Sequence, residues 1–186
     1  MVGNDLVDIK TARSSSDWER PRFLETIFTS KEQRLILNSE NSFSMVWRLW
    51  SMKEAAYKLY TQLYPSRFYT PKKFVCTIKG QKGLVTFQGL KCYVVTKITS
   101  NYIISEARLE EHKMNSTVLN LKHKNPKEQS KILKSELLKL VTELNNIKDE
   151  FIKIQKNEFG IPTVNYGLEK INISITHHGN YGAYVI

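Results

Sequence analysis

The sequence predicts an α+β protein made of two similar halves, each with a long helix and antiparallel strands. Two segments place apolar residues at helical spacing, and each is followed by a segment that alternates apolar and polar residues like strands. Both strand segments close on a stretch that opens with Asn-Tyr, "SNYIISEA" at residues 100–107 and "GNYGAYVI" at residues 179–186. This echo indicates two related halves, about residues 1–110 and 111–186, packed as a pseudo-dimer.

The elements of the first half follow from its patterns. "VGNDLVDI" predicts a short strand, because apolar residues surround Asp5 and Asp8. Short helical pieces follow over residues 17–38, with an N-cap at Thr29 or Ser30. "SMVWRLWSMKEAAYKLYTQLY" has apolar residues three and four apart, which predicts a strong helix. Beyond it the period changes to two, and we predict three or four antiparallel strands up to residue 109.

The second half begins with a change in composition. Residues 110–127 are polar and basic, and we interpret them as a connection with room for one short strand. A second helix is predicted over residues 130–147, with one stripe formed by Leu133, Leu137, Leu140, Val141 and Leu144. The remaining residues return to strands around a Gly-Pro turn.

Composition and charge limit the classes of function. Of the 186 residues, 41% are hydrophobic and 11% aromatic, which is typical of a packed core. Cys76 and Cys92 form no CxxC pair, as expected in a reducing compartment. No signal-peptide core or membrane-length apolar run is present, so we expect a cytoplasmic protein without membrane contacts. The net charge of +10 predicts a polyanionic partner: nucleic acid, phosphate-rich cofactor or acidic protein surface.

The stretch "WSMKEAAYK" contains the first candidate site residues. By itself it predicts a helix with one exposed charge pair, since Glu54 and Lys58 are four residues apart. Asp5, however, lies on a separate predicted strand, and two carboxylates from different elements suit a divalent cation such as Mg²⁺. Lys58 would then reach a phosphate bound at the same point.

The segment "SITHHGN" is a candidate phosphate cradle. It places the hydroxyls of Ser174 and Thr176 and the rings of His177 and His178 close to a glycine. The alternative, a zinc site, is poor because adjacent histidines in an extended segment point in opposite directions.

Three stretches together resemble the signature motifs of the 4′-phosphopantetheinyl transferases: "GNDLVDI", "WSMKEAAYK" about 45 residues later, and "ISITHHGNY". Each motif is weak by itself, but the combination at this spacing is specific. The resemblance implies an enzyme that transfers the 4′-phosphopantetheine of coenzyme A to a serine of an apo acyl or peptidyl carrier protein. It also implies a need for Mg²⁺ or Mn²⁺, an acidic carrier protein as partner, and a pathway of fatty acid, polyketide or nonribosomal peptide biosynthesis.

The family has a single-repeat type that forms trimers and a two-half type that is monomeric. In the two-half type the half with the histidine motif comes first, whereas here it comes second. Residues from about His123 onward, with "HKNPKEQSKILKSELLKLV" and "NEFGIP", resemble that first half. We therefore expect a circularly permuted, monomeric enzyme. The alternative is a single-repeat trimer whose last hairpin is interrupted by an insertion.

The resemblance assigns roles to individual residues. Asp5 and Glu54 match the metal-binding carboxylates, and Glu54 also matches the general base. Lys58 matches a lysine that contacts phosphate near the reacting centre. His177 matches a histidine that binds a phosphate of coenzyme A, and Thr176 matches the serine before it.

Three further positions concern the cofactor and the metal. Ser130 matches a helix-start residue that contacts the phosphate of the nucleotide. Two departures stand against these matches. Val7 replaces an acidic residue common in the two-half type, and Ile161 replaces the lysine of the usual Gly-Lys-Pro turn. Coenzyme A is then expected to bind more weakly or through other lysines.

The alternative function is a small basic RNA-binding module without catalysis. In that reading Phe74, Phe87 and Tyr93 would stack on bases. We favour the enzyme, with no nucleic acid as partner, because no RNP-like segment is present and these aromatics also suit the core of a sheet. A third reading, a degenerate half that only binds, is disfavoured because Asp5, Glu54 and Lys58 are all present.

Overall fold

A computed structural model of the protein describes residues 1–68, 70–122, 125–146 and 152–186. Its first part contains five strands, four helices and a short 3₁₀ helix. In chain order these elements are β1 (Val2–Asp8), α1 (Ile9–Ser15), α2 (Phe23–Ile27), α3 (Ser30–Leu37), α4 (Ser42–Leu63), the 3₁₀ helix (Pro71–Lys73), β2 (Val75–Lys79), β3 (Lys82–Phe87), β4 (Leu90–Ile98) and β5 (Tyr102–Arg108). Four strands follow the long helix, where three or four were predicted. Helices α2 and α3 lie within the predicted range of residues 17–38, whereas α1 was not predicted.

The first part forms one antiparallel sheet covered by α4. The strand order is β1-β5-β4-β3-β2, so the first strand of the chain lies beside the last strand of the meander. Met52, Ala55, Ala56 and Leu59 of α4 are fully buried in the core that the helix forms with this sheet. The predicted N-cap of α3 is Thr29, which forms a capping box with Glu32.

The second part contains six strands and one long helix. They are β6 (Thr117–Asn120), α5 (Pro126–Asn145), β7 (Ile152–Lys156), β8 (Pro162–Tyr166), β9 (Glu169–Asn172), β10 (Ser174–His178) and β11 (Tyr181–Val185). Their sheets have the orders β10-β11-β6 and β7-β8-β9. Because β9 and β10 are separated only by Ile173, the succession of strands repeats that of the first part, with β6 beside β11 as β1 lies beside β5.

Helix α5 differs from its predicted form at both ends. It begins at Pro126, one turn before the predicted start, because Asn125 caps the amide of Lys127 and proline suits the first helical turn. Its stripe packs through Leu133, Leu137, Leu140 and Val141. The prediction for Leu144 was wrong: this residue is 64% exposed, since the second core ends one turn earlier. The predicted last residue of this helix, Ile147, and the segment start at His123 lie outside the described residues.

The two parts meet along β1, β10 and β11. Leu6 and Ile104 pack there against Ala183, and the rings of Tyr102 and Tyr181 lie 5.2 Å apart. The Asn-Tyr echo therefore brings its two tyrosines together. The asparagines correspond as well, because the Asn101 carbonyl accepts from the amide following β1 at 2.9 Å and the Asn180 carbonyl accepts from the amide following β6 at 2.6 Å. These matching bonds confirm the predicted fold class, whereas the boundary at residue 110 and the permuted order stay predictions.

Candidate functional site

Strand β1 carries Asp5 at the junction of the two parts. On one side β1 pairs with β5, and along its other edge side chains of β10 and α4 bond to its backbone. Both backbone groups of Val2 bond to the Gln62 amide, at 3.0 and 2.8 Å. The Asn4 amide donates to Ser174 Oγ at 3.0 Å, and the Asp8 amide donates to His178 Nδ1 at 2.9 Å. These contacts satisfy an edge that would otherwise invite pairing with another chain.

Gly3 explains how α4 comes close enough to β1 to complete the site. A side chain at this position would collide with the backbone of Ala55 and Leu59. Glycine therefore permits direct contact between strand and helix, and this contact places Glu54 and Lys58 beside Asp5.

Asp5, Lys58 and Thr176 form the centre of the site. Lys58 Nζ lies 3.1 Å from Asp5 Oδ1 and donates to the Asn4 carbonyl at 2.8 Å. Thr176 Oγ1 donates to the same Asp5 Oδ1 at 3.1 Å, so the threonine predicted to contact cofactor also contacts this carboxylate. Within the described part of the chain, no hydrogen bond to Asp5 Oδ2 is found. That oxygen remains available to a further ligand.

Glu54 is the most perturbed acid of the site. Burial, and next the negative charge of Asp5, raise its pKa from 4.5 to about 7, and Lys58 only partly offsets this. The charge of Asp5 thus acts directly on Glu54. A carboxyl with a pKa near neutrality is poised to exchange a proton at physiological pH.

The donor set fits a hard divalent cation. The two carboxylates come from different elements, and the pKa of Glu54 is raised first by burial and then by the negative charge of Asp5, which lies near enough to act on it. Mg²⁺ typically binds one or two protein carboxylates and takes its other ligands from water and substrate phosphate. No group of three or more histidine, cysteine, aspartate or glutamate side chains suited to a metal occurs in the described ranges, so an all-protein cage is not the arrangement seen there.

A basic cavity of about 260 Å³ opens beside Lys58. Its polar lining consists of cations, hydroxyls and an amide, and its apolar wall includes the turn around Ile161. The charged or hydroxyl-bearing lining residues are Tyr57, Lys58, Thr61, Ser66, Ser130, Lys134, Lys156, Ser174 and His177. The structure thus brings the predicted residues Lys58, Ser130 and His177 to one cavity, and no carboxylate is among its described lining residues.

The two adjacent histidines point to different surroundings. His177 lines the basic cavity, whereas His178 turns to β1. Burial, and next the charges of Lys58 and His178, lower the pKa of His177. These effects favour the neutral form of the His177 imidazole.

A second, aromatic cavity of about 190 Å³ has Glu54 in its wall. Its walls include Trp50, Tyr57, Phe68 and Phe74. Phe74 and Phe87 are only 1% and 5% exposed, so they cannot stack on RNA bases. The RNA-binding alternative is contradicted at these two positions, because the sheet uses them as core.

Sequence reasoning missed Lys134, Lys156 and Gln62, whereas Ser174 of the predicted cradle lines the cavity. The lysines belong to a charge spread evenly along the chain, and nothing in their local pattern distinguishes them from solvated surface. Gln62 lies two turns after Glu54 on α4, and that spacing was the only available signal.

No helix in the described part of the chain is long and apolar enough to cross a membrane.

A comparison with curated proteins found no match. Two solved structures resemble the fold at low similarity. One is described as a "Chronobacterium ammoiniagenes" apo-ACPS structure, with 16% identity, a TM-score of 0.47, and coverage of 57% of this chain and 93% of that one. The other is the Thermotoga maritima holo-[acyl-carrier-protein] synthase, with 17% identity, a TM-score of 0.45, and coverage of 72% and 89%.

The decisive comparison is with models of protein families. The model described as ACPS, 4′-phosphopantetheinyl transferase superfamily, matches residues 1–105. This range is more than half of the 186 residues and contains Asp5, Glu54 and Lys58. The chain therefore belongs to the 4′-phosphopantetheinyl transferase superfamily and is an enzyme of that kind.

Proposed function

We propose that the protein transfers the 4′-phosphopantetheine group of coenzyme A to a serine of an apo acyl or peptidyl carrier protein in a Mg²⁺-dependent reaction. The observation that carries this proposal is the position of Lys58. It bonds to Asp5 at 3.1 Å and also lines the basic cavity, so the carboxylate pair and the cavity are contiguous. A polyanionic substrate in the cavity would reach the carboxylates at this point.

Asp5 and Glu54 are the proposed ligands of the cation, Mg²⁺ or Mn²⁺. When bound, the cation would neutralise charge on the pyrophosphate of the substrate. Two donors, Lys58 and Thr176, bond to Oδ1 of Asp5. These bonds fix the orientation of the carboxylate and therefore also of Oδ2, the oxygen that would bind the cation. The pKa of Glu54 predicts that a cation is bound more tightly above neutral pH, where this carboxyl is ionised.

Glu54 is also the proposed general base. The hydroxyl oxygen of the carrier serine attacks the β-phosphorus, which carries the pantetheine, and its proton passes to Glu54. The new serine Oγ–phosphorus bond forms as the bond to the bridging oxygen breaks, and adenosine 3′,5′-bisphosphate leaves with the electron pair. Lys58 stabilises the charge that develops on the phosphoryl oxygens.

The basic cavity is the proposed site of the nucleotide end of coenzyme A. His177 and Ser130 contribute as expected from the sequence, and Lys134 and Lys156 add two cations. Lys156 pairs with Pro162 across the β7–β8 hairpin and so stands next to Ile161. These lysines would supply the charge that Ile161 lacks.

Further parts of the proposal concern assembly and partner. The two parts, about residues 1–110 and 111–186, would form one catalytic unit in a monomer, because each contributes residues to the same cavity. A net charge of +10 suits an acidic carrier protein. We propose a cytoplasmic location because the chain belongs to this superfamily.

Mass spectrometry of an intact carrier protein tests the function. The protein is mixed with an apo carrier, coenzyme A and Mg²⁺, with EDTA in a parallel reaction. We expect the carrier to gain the mass of one phosphopantetheine only in the reaction without EDTA. We expect Glu54→Gln to abolish this gain, while circular dichroism shows that the variant is folded. Transfer in EDTA, or normal turnover by Glu54→Gln, would contradict the proposal.

A further inference from the structure

Lys53 and Glu32 form a buried ion pair directly beside Glu54 in sequence. Their side chains are 1% and 2% exposed, and Lys53 Nζ lies 2.9 and 3.0 Å from the two carboxylate oxygens of Glu32. Lys53 also donates to the Phe74 carbonyl. The three protons of its ammonium group therefore have three buried acceptors, and Lys53 has none left for a substrate phosphate.

Glu32 is equally well satisfied. Its Oε2 accepts from the Thr29 amide at 2.7 Å and from the Thr29 hydroxyl at 3.0 Å, which completes the capping box of α3. Its Oε1 accepts from the Cys76 amide at 2.8 Å. The pair thus joins α3, α4 and the start of β2 in one hydrogen-bonded unit.

Such a pair is weak evidence for stability. Removing two charges from water costs about as much as their attraction returns, and well-packed apolar residues often replace buried pairs without loss. What the pair adds is directional geometry, because three elements meet at fixed bond lengths at one point.

That point lies at the wall of the aromatic cavity. Lys53, Phe74 and Glu54 all line this cavity, so the pair fixes the helix turn that carries Glu54 and the loop opposite it. Asp5 lies on β1 and contacts α4 through Lys58. The axial position of α4 therefore sets the separation of the two carboxylates.

We propose that Lys53 is a positioning residue for the transfer reaction: paired with Glu32, it holds Glu54 at the distance from Asp5 that metal binding and proton transfer need. This inference rests on the proposed function. It assigns Lys53 a role distinct from that of Lys58, although both lysines belong to the same short motif.

The test compares Lys53→Met, Glu32→Gln and the double variant Glu32→Gln/Lys53→Met. Each single variant leaves one buried charge unpaired, and we expect both to unfold at lower temperature than wild type. The double variant removes both charges, and glutamine retains the capping box, so we expect its unfolding temperature to recover towards wild type. The matched control is Lys82→Met/Glu111→Gln, which removes an exposed pair far from the site.

The measurements are kcat, the Mg²⁺ concentration for half-maximal rate, and the Kd for coenzyme A. In the folded double variant we expect kcat to fall at least about tenfold and the Mg²⁺ requirement to rise, because a displacement near 1 Å is costly in a catalytic site. The Kd for coenzyme A should stay within about twofold, since the basic cavity is untouched. The exposed-pair control should keep both kcat and the Mg²⁺ requirement.

A double variant with wild-type stability, kcat and Mg²⁺ dependence would overturn the inference and make the pair purely structural. A clear rise in the Kd for coenzyme A in the double variant would also overturn it, because Lys53 would then act on the substrate. Failure of the wild type to modify any carrier would instead refute the proposed function. The two failures are therefore distinguishable.

Discussion

Lys58 Nζ bonds to both the side chain of Asp5, at 3.1 Å, and the backbone carbonyl of Asn4, at 2.8 Å. One ammonium group thus fixes the carboxylate and the strand that carries it. One turn further along α4, the Gln62 amide holds both backbone groups of Val2. Helix α4 therefore clamps the free edge of β1 at two points, and the site is built on two rigid elements rather than on loops.

Thr176 provides a test of how Asp5 is oriented. Thr176→Val removes the hydroxyl that bonds to Asp5 at 3.1 Å, while Thr176→Ser retains it. We expect the valine variant to need more Mg²⁺ for half-maximal rate and to lose about fivefold in kcat, with serine near wild type. Steady-state kinetics at varied Mg²⁺ measures this. If Thr176→Val instead changed only the Kd for coenzyme A, the hydroxyl would act on the cofactor, as the sequence predicts.

Glu54 should make stability depend on pH in the absence of metal. Its pKa is raised from 4.5 to about 7, so the folded state binds more protons than the unfolded state between these values. Folding stability therefore falls as pH rises through this window. Urea unfolding in EDTA at about pH 5 and about pH 8 should show the fall in wild type and a smaller one in Glu54→Gln. Equal slopes in both proteins would show that Glu54 is not the titrating group.

Lys134 and Lys156 should recognise the nucleotide phosphate. We expect Lys134→Ala/Lys156→Ala to raise the Kd for coenzyme A at least about tenfold, while the Kd for dephospho-coenzyme A rises less. Isothermal titration calorimetry without metal measures both ligands. Lys131→Ala is the matched control, since this residue is exposed on the same helix outside the cavity. An equal effect on both ligands would mean that these lysines do not contact the 3′-phosphate.

His177 should make anion binding tighter at low pH. Burial and the charge of Lys58 keep its pKa below the ordinary 6.5, so the ring gains a proton only as pH falls below neutrality. The Kd for adenosine 3′,5′-bisphosphate should therefore decrease as pH falls, and His177→Gln should flatten this dependence. A dependence that survives the substitution would assign it to another group.

Gly179 should be sensitive to substitution because of its place between the two parts. Its φ is +58°, and a Cβ would collide with the Asp8 carboxylate and the Thr11 hydroxyl. Burial would raise the pKa of Asp8, but bonds from the Asn180 and Thr11 amides outweigh it and keep that pKa low. We expect Gly179→Ala to destabilise the fold by about 3 kcal/mol.

The matched control is Gly167→Ala. Its φ of +56° carries similar backbone strain, but nothing lies within 4 Å of the added Cβ. We expect a loss of about 1 kcal/mol there, measured by urea unfolding. Equal losses at the two glycines would show that the collision at Gly179 is relieved without cost.

The sequence by itself determined most of the elements, and it supplied the candidate site residues. Apolar residues three and four positions apart predicted α4, and the alternation of apolar and polar residues predicted β2 to β5. Thr29 and Glu32 indicated where α3 begins. Asp5 and Glu54 were candidates because two carboxylates from different predicted elements suit a cation, and because their motifs resemble those of the 4′-phosphopantetheinyl transferases. The signals for helices, strands and caps are local, since they depend on residues within a few positions of one another.

Only the tertiary structure decided which side chains share a contact. Thr176 reaches Asp5 across 171 positions of sequence, and Ser174 reaches Asn4 across 170. The pairing of Lys53 with Glu32 was hidden in the same way, because a lysine on a predicted helix looks like solvated surface until its neighbours are known. Leu144 shows the opposite limit: it continued the apolar stripe of α5, yet the core ended before it. Burial and long-range contact are properties of packed surfaces, and a local pattern cannot specify where those surfaces meet.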